Sequence, residues 1–214
     1  MGVACLILGE SGSGKSASMR NFKENDVRVL NVASKPFPFR NVNKLKKADK
    51  ATYDIIKGVV KSGQVLSYVI DDAQYLMAFE SFDKAQIAGY GKFTEMAKNY
   101  EEMLRTIQED TPPDTIVYVM QHVDTDDIGK VKAKTLGKML DQQLTVEGLF
   151  TIVLLAKADE KGHYFLTQSD GTNPCKSPMG MFDDVKIDND LKMVDDTIRE
   201  YYGLKKQPVT KTNK

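Results

Sequence analysis

GESGSGKS, residues 9–16, decides how the rest of the chain is read. The spacing G-x-x-x-x-G-K-S sets glycines where the backbone must turn tightly, then a lysine and a serine. Such a loop cradles phosphate oxygens with its backbone N–H groups when it joins a strand to a helix. Both neighbours are expected here. Ala4-Cys5-Leu6-Ile7-Leu8 is an apolar run of strand length, and Ala17 to Phe22 can continue as a helix. A solvent loop that happens to be rich in Gly and Ser has no reason to follow a buried strand. The expected nucleotide-binding set is Gly9, Glu10, Ser11, Gly12, Ser13, Gly14, Lys15, Ser16 and Ala17. Lys15 would reach the β and γ phosphates, and the Ser16 hydroxyl would sit on Mg²⁺.

Outward from this loop, apolar runs alternate with helical periodicity. Strands are expected at 27–33, 65–72, 115–122 and 149–157, the last turning at Gly162 into a hairpin that ends near 169. Helices are expected at 52–61, 92–109, 134–146 and 190–203. The 92–109 helix is the clearest, with Met96, Tyr100, Met103, Leu104 and Ile107 on one face. Residues 73–91 fit no single period, and DGTNPCKSPMGMF, 170–182, reads as a long flexible loop. Strands interleaved with helices predict an α/β fold, a mostly parallel sheet with helices on both faces. The expected division is a core over 1–182 and a C-terminal helix with a basic tail over 183–214. Ligands of such folds bind at the carboxyl ends of the strands.

Composition narrows the field. Of 214 residues, 41% are hydrophobic, enough for a proper core, and 30 basic residues cancel 30 acidic ones, so no global charge argues for nucleic acid. Cys5 and Cys175 form no disulfide framework and have no metal-ligand companions, which makes a reducing, cytoplasmic setting the expectation. No apolar stretch approaches the length of a membrane span, and no leader is expected.

The strand ends carry the candidate chemistry. Asp71 closes the run Val69-Ile70 and is the expected second Mg²⁺ ligand; its alternative is a helix cap. Asp72, next to it, is read either as the base for an attacking water or as a cap. Gln121 and His122 end the fourth strand, where a polar side chain can sense the γ-phosphate. His163, in the hairpin, is set aside as structural or exposed. Lys132, Lys134 and above all Lys176 are candidate positive fingers for phosphoryl transfer, Lys176 because prolines and glycines surround it. Lys44, Lys46, Lys47 and Lys50, the lysines of 205–214, and Phe37, Phe39 and Tyr53 are candidate contacts to single-stranded DNA; the alternative is a solvated face over core aromatics.

GESGSGKS near the start, VLSYVIDDAQ as a second-motif strand and VMQH as the next strand resemble the small RecA-like P-loop ATPases of bacteriophage, proteins associated with single-strand annealing and recombination. The resemblance spans roughly 1–182. It implies a RecA-type core that uses ATP and Mg²⁺, with Lys15 and Ser16 at the Walker A positions and Asp71 at the Walker B position. It also implies Gln121 or His122 as sensor and Lys176 as a finger across a subunit interface. The implied setting is the cytoplasm of an infected bacterium, with single-stranded DNA, further copies of the chain in a ring or filament, and a phage recombination or replication protein as partners. The chain departs from the pattern in lacking a convincing glutamate after the 27–33 strand, an AAA+-type arginine finger and a clear helical lid. An ATP-switched adaptor that recruits a DNA-processing protein is the alternative function.

Overall fold

The computed structural model describes residues 2–40 and 45–206. Strand β1 (Val3–Gly9) lies inside an eight-stranded sheet ordered β10-β9-β8-β1-β5-β4-β2-β3. The other strands are β2 (Arg28–Asn31), β3 (Lys46–Asp49), β4 (Ser67–Asp71), β5 (Ile116–Gln121), β8 (Ile152–Asp159), β9 (Gly162–Leu166) and β10 (Lys186–Asp188). All pairings from β3 across to β8 are parallel; β9 and β10 add an antiparallel edge. The expected α/β class is therefore present.

Alternation along β1 builds two cores. Leu6 and Leu8 face one way, toward α1 (Tyr53–Ser62), α2 (Gln74–Asp83) and α3 (Gly91–Glu109). Cys5 and Ile7 face the other way, toward α5 (Leu191–Tyr202), where Leu191, Val194 and Ile198 are fully buried. Local chemistry sets the ends of α1: the Thr52 side chain accepts from the Ile55 N–H, and Gly63 takes the left-handed C-cap at φ 57°.

Four expectations change. The helix after the phosphate loop is a six-residue 3-10 turn, Ser16–Asn21. The Ser18 hydroxyl bonds back to the Lys15 carbonyl at 2.6 Å, and Phe22 then turns into the core in extended conformation. The helix read at 134–146 shrinks to α4 (Lys138–Gln143), preceded by an unforeseen hairpin of β6 (Val123–Thr125) and β7 (Val131–Ala133). Side chains capture its backbone there: the Gln121 amide donates to the Lys134 carbonyl, and the Ala133 N–H donates to Glu147. Residues 73–91, without a readable period, begin with α2, whose Phe79 and Phe82 face solvent.

The fourth change concerns 170–182, which is not a free loop. Asp170 accepts from Thr172 and Asn173, and the Lys176 backbone exchanges two hydrogen bonds with Val153 at 2.8 and 3.0 Å. The segment thereby fills the edge of β8 that β9 leaves unpaired. A boundary at 182 has no counterpart in packing, because β10 extends the sheet and α5 covers one face. Among the described residues no helix is long and apolar enough to cross a membrane.

Candidate phosphate-binding site

The carboxyl ends of β1, β5 and β4 meet at one cleft of about 360 Å³. Strand β5 separates the phosphate-loop strand from the strand that ends in Asp71, so the acid reaches the loop across one strand. Gly9 has no room for a side chain: a Cβ there would lie 2.4 Å from Ser13 Oγ and 2.8 Å from the Ala156 carbonyl. Gly12 and Gly14 adopt φ 80° and 96°, conformations that favour glycine. Lys15 is 5% exposed and folds over its own loop, donating to the Gly9 and Glu10 carbonyls at 2.7 and 2.8 Å. Burial lowers its pKa to about 8, against the pull of Asp72 and Asp71.

The Ser16 hydroxyl donates to Asp71 Oδ1 at 2.9 Å. Burial, and then the neighbouring Asp72 charge, push Asp71 up to about 6, while the Ser16 bond opposes them. Asp72 has the reverse balance. Burial pushes it up, but hydrogen bonds from His122 and Lys35 hold it down at about 2. Its backbone sits at φ 61°, a conformation costly for a non-glycine residue. That turn aims both carboxylates at the cleft, where Asp71 and Asp72 line the same wall.

Gln121 and His122 part company. Strand residues alternate in direction, so Gln121 points into the core, where Tyr100 donates to its Oε1 at 2.7 Å and its own amide donates to the Lys134 carbonyl at 2.6 Å. Gln121 is fully buried and does not line the cleft, which corrects the expectation that the pair acts together. His122 does line it. Its Nε2 lies 3.3 Å from Asp72 Oδ1, and its backbone N–H donates to Gln74 at 3.0 Å.

Lys35, Pro36, Pro38 and His163 line the cleft and were not anticipated. Lys35 pairs with Asp72, which raises the lysine pKa against the effect of burial, and its ammonium lies 5.7 Å from the Tyr75 ring centre. Its position between Ser34 at φ 56° and Pro36 gives no periodic signal to read. His163, set aside in the sequence, lies against the loop: a Cβ on Gly14 would come within 3.0 Å of its ring. The hairpin turn at Gly162 carries it there.

Other candidates lie elsewhere. Lys176, Lys132 and Lys134 do not line the cleft. Phe37 is a core residue, 7% exposed and stacked on Phe39 at 5.4 Å, while Tyr53 belongs to the opposite core face. The three aromatics therefore form no common platform for bases, a correction that follows from the burial of Phe37. Lys46 and Lys47 stand on edge strand β3 and contact Asn25 and Asp49, and Lys50 follows that strand. Lys44 and residues 207–214 lie outside the described residues.

No group of three or more His, Cys, Asp or Glu side chains gathers to hold a metal among the described residues. Ser16 and Asp71 nevertheless fit Mg²⁺, which takes few protein oxygens and keeps water and phosphate as its remaining ligands.

No family model matches the chain, and no curated protein does. Among solved structures, it is similar to one described as a prototypical ATPase from the type III secretion system of pathogenic bacteria, at 11% identity and a TM-score of 0.46. That likeness covers 75% of this chain, which spans about half (52%) of the matched one.

Proposed function

We propose that the chain binds Mg·ATP in this cleft and hydrolyses it, and that turnover serves the handling of single-stranded DNA in recombination or replication. The contact between Ser16 and Asp71 carries the nucleotide reading: residues 55 apart in sequence are brought to 2.9 Å at the mouth of a glycine-rich loop. Lys15 would leave its own carbonyls for the β and γ phosphates, and the loop N–H groups at positive-φ Gly12 and Gly14 would take the remaining oxygens. Mg²⁺ held by Ser16 and Asp71 would neutralise charge on the phosphates. Pro36, Pro38 and His163 line the cleft and are the surfaces available to the rest of the nucleotide.

Asp72 is better suited to positioning than to proton abstraction. Lys35 and His122 hold its carboxylate, so it would aim an ammonium and an imidazole at the terminal phosphate or the attacking water. Lys35 would supply the second positive charge that phosphoryl transfer requires, with Lys176 contributing only from a neighbouring copy in a ring or filament. The DNA role rests on the resemblance and on the edge lysines Lys46 and Lys47.

An ATP-switched adaptor is the second reading. It is favoured by Phe79, Phe82, Ile87 and Tyr90, 46%, 80%, 52% and 88% exposed around the end of α2. ATP turnover with and without single-stranded DNA, with binding titrated at two salt concentrations, separates the two. DNA handling predicts stimulated turnover and binding that weakens as salt rises; absence of both at low salt leaves the adaptor.

A further inference from the structure

The phosphate loop is backed by a residue whose side-chain amide has no hydrogen-bond partner among the described residues. Asn189 lies between β10 and α5, is 3% exposed, and among the described residues neither its side-chain Nδ2 nor its side-chain Oδ1 has a hydrogen-bond partner. It does not line the cleft; it backs Gly14, where an added Cβ would lie 3.1 Å from its Oδ1. A buried amide without partners is costly and demands a reason.

Its surroundings show that the placement is built. The Asn189 backbone carbonyl accepts from Arg20 at 2.5 Å, and Asn21 donates to the Asp190 carboxylate at 2.7 Å. Asp190 in turn caps α5 by accepting from the N–H groups of Lys192 and Met193. The start of α5 is thus tied to the short 3-10 turn that follows the phosphate loop. That turn is only six residues long and cannot hold the loop rigid through its own hydrogen bonds.

We infer that Asn189 is a positioning residue for the phosphate loop, and that its side-chain amide gains a partner on the loop backbone when nucleotide binds. The inference rests on the nucleotide-binding reading given above. Loop N–H and carbonyl groups must reorient around a triphosphate once Lys15 releases the Gly9 and Glu10 carbonyls. Gly14, the loop residue against Asn189, sits at φ 96°, in the region only glycine adopts freely. A hydrogen bond made only in the bound state adds to affinity without adding to the stability of the empty protein.

The test separates these two quantities. Asn189→Leu keeps the volume and removes the orphaned amide. The empty variant is expected to unfold at the same or a higher temperature than the wild type, and its Kd for Mg·ATP, measured calorimetrically, to rise about three- to tenfold. Arg20→Met, which removes a bond already present, is expected to lower the unfolding temperature. An amide that merely packs the core would show the opposite pattern for Asn189→Leu: lower stability and unchanged Kd, which overturns the inference. If the leucine variant does not fold, the Asn189 side-chain amide signals of the wild type are followed by NMR. A shift on adding Mg·ATP supports the inference, and signals that stay in place overturn it. A wild type that binds no nucleotide overturns the nucleotide reading and this inference together. A wild type that binds, with unchanged Kd in Asn189→Leu, overturns this inference alone.

Discussion

Two charged clusters sit at opposite ends of the same sheet, and they are built differently. Near the amino-terminal ends of β4 and β5, Asp195 and Arg199 are fully buried and saturated. Arg199 donates to Asp195, to the carbonyls of Asp114, Lys205 and Leu66, and to Ser67; Asp195 also accepts from Ser67 and Tyr118. At the carboxyl ends, Lys35, Asp72 and His122 form a cluster open to a cleft. Around the phosphate loop, Ser13 Oγ and the Asn189 side-chain amide have no hydrogen-bond partner among the described residues. A saturated network fixes a fold, pinning α5 to the sheet and the strand ends together. An unsaturated one leaves donors and acceptors for something absent. The two differ in exposure and in completeness: Asp195 and Arg199 are fully buried with every hydrogen bond made, whereas the Lys35 side chain is 56% exposed at the cleft.

The largest expected effect breaks the saturated cluster. Arg199→Met leaves the Asp195 carboxylate buried without its cation and is expected to cost about 3–5 kcal/mol, read from urea unfolding. Replacing both, Asp195→Leu with Arg199→Met, is expected to recover much of that loss. Next comes the strand-end pair. Gln121→Leu strands the Tyr100 hydroxyl and the Lys134 carbonyl and is expected to cost about 1–3 kcal/mol of stability. Its folded fraction should bind nucleotide with wild-type affinity by calorimetry. His122→Ala is expected to do the reverse, lowering ATP turnover about 10²-fold with little change in unfolding midpoint. Equal behaviour of the two variants would erase the distinction between structural and functional strand ends. The smallest effect is at the exposed edge. Lys47→Ala, which removes a half-exposed pair with Asp49, should change stability by less than about 1 kcal/mol.

What the sequence made legible was whatever depends on local pattern. The strand before GESGSGKS, the α3 stripe from Met96 to Ile107 and the helix read at 52–61 appear where periodicity places them. Asp71 reaches Ser16 because an apolar strand ending in a carboxylate has few other destinations in such a sheet. The rest depends on partners distant in sequence. Lys35 acquires meaning only from Asp72, 37 residues on. His163 reaches Gly14 through a hairpin, and the Asp195–Arg199 network draws on Ser67 and Tyr118 from two other strands. The 170–182 segment shows the converse: prolines and glycines suggested freedom, while two backbone hydrogen bonds between Lys176 and Val153 hold it against β8. In the sensor pair, Gln121 closes β5 with its side chain in the core against Tyr100, and His122 alone of the two lines the cleft.

The central claim is that the unsaturated end of the sheet is a nucleotide site. It is tested most directly by titrating Mg·ATP into the wild-type protein and into Lys15→Ala by calorimetry. Among the described residues the Lys15 ammonium hydrogen-bonds only to its own loop carbonyls, so the variant should keep its fold. The account predicts saturable binding to the wild type and none detectable to the folded variant. Tight, equal binding by both, or none by the wild type, would contradict it.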